Sequence, residues 1–482
     1  MCTDDLESLD PGDPHRISAG LRRRFSEEFG VSPHGVWFAP GRANLNGEHI
    51  DFHGGRCLPM ALAHGTYVAA APREDGLLRL RTLDPGLDDG VQRVRMDDVG
   101  PLGWRRANTG DDGDGGVAAG SAGEPLESTD VHEITPGETS GWTRYVAGTL
   151  WALRQLGEEV PELAVREGFG ADLLICSTLP IGGGLSSSAA LECSAMLAFV
   201  ALATSFGEQH PGAELSEALD DALRARLAAA CMRAEVDVVG AGTGGLDQTV
   251  SLRGRAEHLL SLDTRNFSVE HLPVGELLTE HTFLAVDTRR AHWLGDGQFD
   301  DRRADSEAAM RLLGVDRLRD LLPERAQPED VDAVLARFEA LTDGTGAIEG
   351  RGSAACRRRL RHALTEMVRS EQLHQILGDE SLERRAAARE IGEILDAGHA
   401  SMRDDAEVSF TAADAIVEAA REAGALGARL IGGGFGGSVL MVMPRTVEDA
   451  VIAGVHRICA EHGFTAPRFL TVKPSAAAKR VG

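Results

Sequence analysis

Positive charge is in short supply in this chain: 49 lysines and arginines stand against 75 acidic residues in 482, a formal net charge of -26. Long-range repulsion from such a surface excludes nucleic acid and anionic membranes as expected partners. Any polyphosphate ligand must be held by local chemistry rather than by the general field. The seven cysteines, Cys2, Cys57, Cys176, Cys193, Cys231, Cys356 and Cys459, are scattered, odd in number and never spaced C-x-x-C, so neither a disulfide framework nor a structural zinc site is expected. A basic, apolar leader is also missing, residues 1–13 being acidic. The longest apolar stretch, 189–206, is broken by Glu192 and rich in alanine, and reads as a buried helix rather than a membrane span. A cytoplasmic protein is expected, as a monomer or weak dimer. No internal repeat of fixed period is found.

What is present has a globular balance, with 43% hydrophobic and 26% charged residues, and the length predicts two or three domains. The apolar run 36–39 predicts a strand stopped by Pro40 and Gly41. Residues 77–83 and 91–96 alternate apolar and polar side chains, the period of half-buried strands. Residues 107–141 are dominated by Gly, Asp, Glu, Ser and Thr and are expected to form a disordered surface insertion. Trp142, Tyr145, Val146, Thr149, Leu150 and Leu153 recur at helical spacing. A strand over 172–176, a glycine turn and a helix from Ser186 follow. Further along, a strand is expected at 283–286, helices over 300–313 and through most of 357–403, and two strands, 428–431 and 439–443, around a bend containing Gly432, Gly433, Gly434, Gly436 and Gly437.

Chemistry concentrates in three blocks. Residues 180–190, PIGGGLSSSAA, run from a strand through Gly182, Gly183, Gly184 and Leu185 into Ser186, Ser187, Ser188 and Ala189. Amides at such a helix start can converge on phosphate oxygens, and the missing side chains allow a triphosphate close approach. A tight turn capped by Ser186 is the plainer alternative. The block is not a Walker A loop, since no Gly-Lys-Ser or Gly-Lys-Thr follows. Residues 41–55, GRANLNGEHIDFHGG, gather Arg42, Glu48, His49 and Asp51 between glycines, where carboxylates beside imidazoles can read polyol hydroxyls. A metal reading of His49, Asp51 and His53 rests only on alternation in an extended segment. Finally, Glu235 lies in a helical stretch, and a glycine loop over 240–245 delivers Asp247 just before a strand-like run at 249–252. An acid so placed is positioned like a catalytic base, although a turn aspartate looks the same.

In this order the blocks resemble the GHMP small-molecule kinases, and residues 41–55 look like the galactokinase signature G-R-x-N-L-I-G-E-H-x-D-Y-N-G-G. Weaker likenesses, such as Gly245-Leu-Asp-Gln and the bend at 432–437, extend the resemblance from about Arg16 onward. It implies an α/β (α+β) fold of two lobes: a mixed-sheet N-terminal lobe over 16–265 and a sheet-plus-helix C-terminal lobe over 266–482, with the site in the cleft between. It also implies transfer of the γ-phosphate of ATP to the C1 hydroxyl of galactose. Asp247 would take the hydroxyl proton beside Arg42, and Glu48, His49, Asp51, Gly244 and Phe299 would contact sugar. Residues 182–189 would hold ATP, while Ser187 or Ser188, with Glu235, would hold Mg2+.

Asn46, Phe52 and His53 replace the isoleucine, tyrosine and asparagine of the signature, and Gln298-Phe299 falls where galactokinases usually carry Glu-Tyr. These departures leave open a kinase for a uronic acid, a pentose or an N-acetylhexosamine. A catalytically silent sugar and ATP sensor is the reading from another class; against it, Ser188-Ala189-Ala190, Asp247 and Arg42 are all present.

Overall fold

The computed structural model describes residues 8–87, 90–102, 141–290, 298–343, 346–379 and 381–482. The insertion expected at 107–141 lies outside these residues, apart from Gly141. Fourteen strands are assigned: β1 (Gly35–Asn46), β2 (Arg56–Arg73), β3 (Leu77–Thr82), β4 (Gln92–Arg95), β5 (Gly170–Ser177), β6 (His258–Asp263), β7 (Ser268–Pro273), β8 (His281–Asp287), the short β9 (Ala347–Ile348) and β10 (Arg351–Gly352), β11 (Gly427–Ile431), β12 (Ser438–Pro444), β13 (Arg468–Val472) and β14 (Lys479–Arg480).

The first sheet runs β14-β1-β2-β5-β3-β4, with β6 and β7 continuing from the far end of β2; β3 and β5 form its parallel pair. Alternation along its strands gives it two apolar faces. Trp37, Val68 and Leu173 pack against the helices Thr143–Glu159 and Ser187–Ala203. Their neighbours Phe38, Tyr67 and Leu174 pack against Leu21, Phe25 and Phe29 of the helix Pro14–Phe29. That helix begins where the Asp13 side chain accepts the His15 and Arg16 amides and ends at left-handed Gly30. The alanine-rich helix Ser187–Ala203 is buried on nearly every side, as its unbroken apolar composition requires.

The second sheet, β11-β12-β8-β13, is antiparallel throughout. Helices Thr411–Glu422 and Glu448–Glu461 cover one face and Arg384–Asp404 the other. One apolar cluster, with Leu45, Leu58 and Met60 from the first sheet and Phe283, Leu440 and Leu470 from the second, joins the lobes. Leu179 and Leu185, flanking the glycine loop, belong to the same cluster and so fix that loop at the junction. The expected division at residue 265 falls in the β6–β7 turn, and β14 returns to pair with Trp37 and Phe38 of β1. Among the described residues no helix is long and apolar enough to cross a membrane.

Two local expectations are corrected. β1 does not stop at Pro40 and Gly41 but continues to Asn46 through register shifts at Pro40/Arg42 and Asn44/Asn46. Proline is tolerated at such an irregularity because no ladder amide is needed there. Residues 249–252 are not a strand: they lie in the helix Leu246–Arg253, entered from left-handed Gly245. Four residues alternating Thr-Val-Ser-Leu are too short a run to separate strand from helix, and here burial of Leu246, Val250 and Leu252 in a helix prevails.

Candidate active site

Gly41 lets β1 touch the glycine loop, since a Cβ there would lie 2.4 Å from the Leu185 carbonyl oxygen. The next residue, Arg42, reaches across this contact. Its amide donates to the Leu185 carbonyl at 3.1 Å, its Nη1 to the Gly184 carbonyl at 2.7 Å and its Nε to Asp247 Oδ1 at 2.7 Å. The other Asp247 oxygen accepts from the Ser186 hydroxyl. Ser186 is the residue preceding the helix Ser187–Ala203, but its side chain does not cap that helix, and its φ of 59° is left-handed. The turn itself is present, with the Gly183 amide on the Pro180 carbonyl at 3.1 Å, but the Ser186 cap is not: the hydroxyl is turned towards Asp247. The first amides of the helix, from Ser187 onward, have no acceptor within it and suit an anion.

The glycine bend between β11 and β12 backs directly onto this loop. Ser438 Oγ donates to the Gly183 carbonyl at 2.6 Å, and a Cβ on Gly432 would meet the Gly184 carbonyl at 3.0 Å. Glu48 Oε1 accepts the Gly432 amide at 2.8 Å, and His49 Nε2 donates to the Gly433 carbonyl at 3.1 Å. His49, Ser186 and Phe435 all carry positive φ without being glycine, so strained backbone gathers where the lobes meet.

Asp51 lies against Gly244, whose missing Cβ would fall 2.3 Å from Asp51 Oδ2. Burial and the nearby Asp247 charge push the Asp51 carboxyl up to about 6. Burial also lifts Glu48 to about 7, against the pull of Arg42 and Arg429. For Arg42, burial lowers basicity, yet Asp247, Glu48 and Asp51 outweigh it and hold the guanidinium charged. Phe299 opens the helix Gln298–Leu312, packs 5.0 Å from the His49 ring and lies beside the loop at Gly242. Phe52 meets Phe299 edge-on at 6.2 Å, with the Arg303 guanidinium over the Phe52 ring, 4.9 Å from its centroid. His53 points away to Ser306 Oγ at 2.7 Å, and His49 to Gly433, so the metal reading of His49, Asp51 and His53 has no geometric support.

A second acidic group adjoins the loop. Glu235 sits in the π-helix Ala234–Val239, hydrogen-bonded by Gln248 with Ser188 and Thr243 beside it, and burial plus the Asp247 charge raise it to about 7. Gln248 Nε2 donates to Glu235 Oε2 at 2.6 Å and to Glu192 Oε2 at 3.0 Å. A hydroxyl and a carboxylate this close to the helix start, with the carboxylate lacking a cationic partner, fit a divalent ion that takes its remaining oxygens from phosphate and water. Among the described residues no group of three or more His, Cys, Asp or Glu side chains could hold a metal ion.

The sequence reading named Arg42, Glu48, His49, Asp51, the 182–189 loop, Glu235, Gly244, Asp247 and Phe299, and the fold brings them together. It did not single out Thr243, Gln248, Glu192, Ser438, Glu366 or Arg429. Of these, only Gln248 carried a signal, its place next to Asp247. Glu366 and Arg429 form a fully buried ion pair at 2.8 Å, and Glu366 Oε1 also accepts the Gly47 and Glu48 amides at 3.0 and 3.3 Å. Asn46, the departure from isoleucine, joins this network by donating to Ser370 Oγ at 2.8 Å and accepting from Arg429.

Comparison with known proteins gives the same grouping. Residues 23–72 match the galactokinase galactose-binding signature, 144–255 the GHMP kinases N terminal domain and 381–461 the GHMP kinases C terminal. The galactokinase of Streptomyces coelicolor is 37% identical over 466 residues, spanning 96% of this chain and 99% of that protein. The galactokinase of Streptomyces lividans is 34% identical over 448 residues, 92% and 91% of the two. Among solved structures, Lactococcus lactis galactokinase complexed with galactose superposes with a TM-score of 0.70 at 24% identity, over 96% of this chain and 99% of that one, a likeness of fold. A chain that aligns with these relatives almost end to end, and holds their signature against a glycine loop and an Arg42–Asp247 pair, belongs to the galactokinase family of GHMP kinases.

Proposed function

We propose that the protein phosphorylates galactose at its C1 hydroxyl with ATP, releasing galactose 1-phosphate and ADP. The observation that carries the reading is Asp247, gripped on one oxygen by Arg42 and on the other by Ser186 at the mouth of the glycine loop. Each carboxylate oxygen retains a lone pair, so Asp247 can receive the C1 hydroxyl proton as the sugar oxygen attacks the γ-phosphorus and the bond to the ADP oxygen breaks. Arg42 pairs with Asp247 and lies where it can offset charge on the phosphoryl oxygens.

Amides and hydroxyls of 182–189 cradle the triphosphate, and the bend at 432–437 closes the far side of the loop. Ser188 and Glu235 are the residues that would hold magnesium; Ser188 is preferred over Ser187 because it lies beside Glu235. When bound, the ion neutralises and orients the phosphates. Glu48, His49, Asp51 and the Gly244 backbone read sugar hydroxyls, and Phe299 with Phe52 makes an apolar wall where a phenol is usual. The relatives favour neither another sugar nor a silent sensor.

The test is ADP release with ATP and Mg2+ across galactose, glucose, arabinose, galacturonate and N-acetylgalactosamine. Highest turnover on galactose is expected; highest turnover on another sugar, or none on any, would overturn the substrate assignment.

A further inference from the structure

The Gln248 side chain is fully buried on the helix Leu246–Arg253, immediately after Asp247 and between two acids. Both its hydrogen bonds leave from Nε2, to Glu235 Oε2 at 2.6 Å and to Glu192 Oε2 at 3.0 Å. Glu192 is itself fully buried, one turn along the helix from Ser188. Two acceptors in the same group, Glu192 Oε1 and Gln248 Oε1, have no hydrogen-bond partner. The cluster therefore leaves polar atoms unsatisfied in order to keep one amide nitrogen between two carboxyl groups.

The carboxamide nitrogen faces the acids, and turning the group over would set its carbonyl oxygen against the same two carboxyl groups. Each acid takes one of the two N–H bonds, and Glu235 Oε2 is consequently pinned at 2.6 Å, with Ser188 and Thr243 beside the same carboxyl group. A carboxyl group so held has less rotational freedom left to lose when a cation arrives. Packing alone does not explain this arrangement, because an apolar residue at 248 would fill the space and remove an orphaned oxygen.

We propose that Gln248, anchored by Glu192, is a positioning residue that pre-orients the Glu235 carboxylate for the divalent cation of the nucleotide complex. This rests on Glu235 being a metal ligand. Supporting groups one step removed from a metal typically govern affinity by about 10- to 100-fold.

The experiment measures Mn2+ binding by electron paramagnetic resonance to the full-length protein with a non-hydrolysable ATP analogue. Gln248→Met, similar in shape but without N–H donors, is expected to weaken Mn2+ binding about tenfold or more while galactose binding stays within about twofold of wild type. Glu192→Gln keeps an acceptor for the Gln248 amide and should bind Mn2+ nearly as wild type does. A purely structural role would instead lower the fraction of active protein without changing the Mn2+ constant of the remainder. Should Gln248→Met not fold, Glu192→Met removes the anchor only, and unchanged Mn2+ affinity there would overturn the proposal. Glu235→Gln separates the two readings. If it too binds Mn2+ normally, the metal assignment falls and this inference with it; if it loses Mn2+ while Gln248→Met does not, the role of Gln248 alone is refuted.

Discussion

Arg42 Nε and Asp247 Oδ1 meet at 2.7 Å although 205 residues separate them in sequence. Arg42 comes from the irregular middle of β1 and Asp247 from the first turn of a helix, so the pair forms only when the glycine loop is seated between them. Removing the acid should stop the chemistry and spare the nucleotide. Asp247→Asn is expected to lower kcat by about a hundredfold to ten-thousandfold, the usual worth of a general base, with ATP binding close to wild type by calorimetry.

Gly244→Ala should act on the sugar alone. The added methyl would lie 2.3 Å from Asp51 Oδ2, with no room to relax towards the buried side. Displacing one hydroxyl-reading acid by a fraction of an ångström should raise the galactose KM about tenfold or more and leave the ATP KM unchanged. Steady-state kinetics varying each substrate separately distinguishes this from a general loss of fold.

Stability should carry the mark of Glu48. Burial raises its carboxyl from 4.5 to about 7, so the folded state binds the proton more tightly than the unfolded chain. The favourable contribution is complete below about pH 4.5 and is lost as pH rises towards about 7, an effect on the order of 3 kcal/mol. Glu48→Gln cannot titrate. The stability of wild type relative to Glu48→Gln should therefore fall between pH 5 and 8, measured by thermal or denaturant unfolding in matched buffers; a flat difference would contradict it.

The Glu366–Arg429 pair predicts a large structural effect with no direct chemistry. Both side chains are inaccessible to water, and Glu366 also holds the Gly47 and Glu48 amides. Arg429→Met would take away one of the two cations on Glu366, leaving Arg369 at 2.9 Å, and should cost about 1.5–3 kcal/mol, read as a lower unfolding midpoint in urea.

Much of this was legible in the sequence because the decisive residues sit in short blocks whose glycines and charges have local meaning. Gly182 and Gly184 adopt positive φ, and Gly41 and Gly244 permit contacts a side chain would forbid. Periodicity also recovered the helix Thr143–Glu159 and the strands β3, β4, β5 and β8. It failed at Pro40, where a bulge rather than an end absorbs the proline, and at 249–252, where a four-residue alternation is too short to outweigh the helix it ends. Glu192, Glu366 and Arg429 could not be read at all, because their meaning lies in partners 56, 63 or more residues away that only packing supplies.

Ser188 and Ser187 separate two ways of building the loop. Ser188 lies beside Glu235, so Ser188→Ala should raise the Mg2+ concentration needed for half-maximal turnover by about tenfold, whereas Ser187→Ala should not. Titrating Mg2+ at saturating ATP and galactose reads the difference.

The central claim is transfer to one particular oxygen, and phosphorus NMR of the reaction of wild-type protein with galactose, ATP and Mg2+ tests it most directly. The account predicts a single sugar phosphate coupled to the anomeric proton, formed in equal amount with ADP. ADP without sugar phosphate, or phosphate on a hydroxyl other than C1, would contradict it.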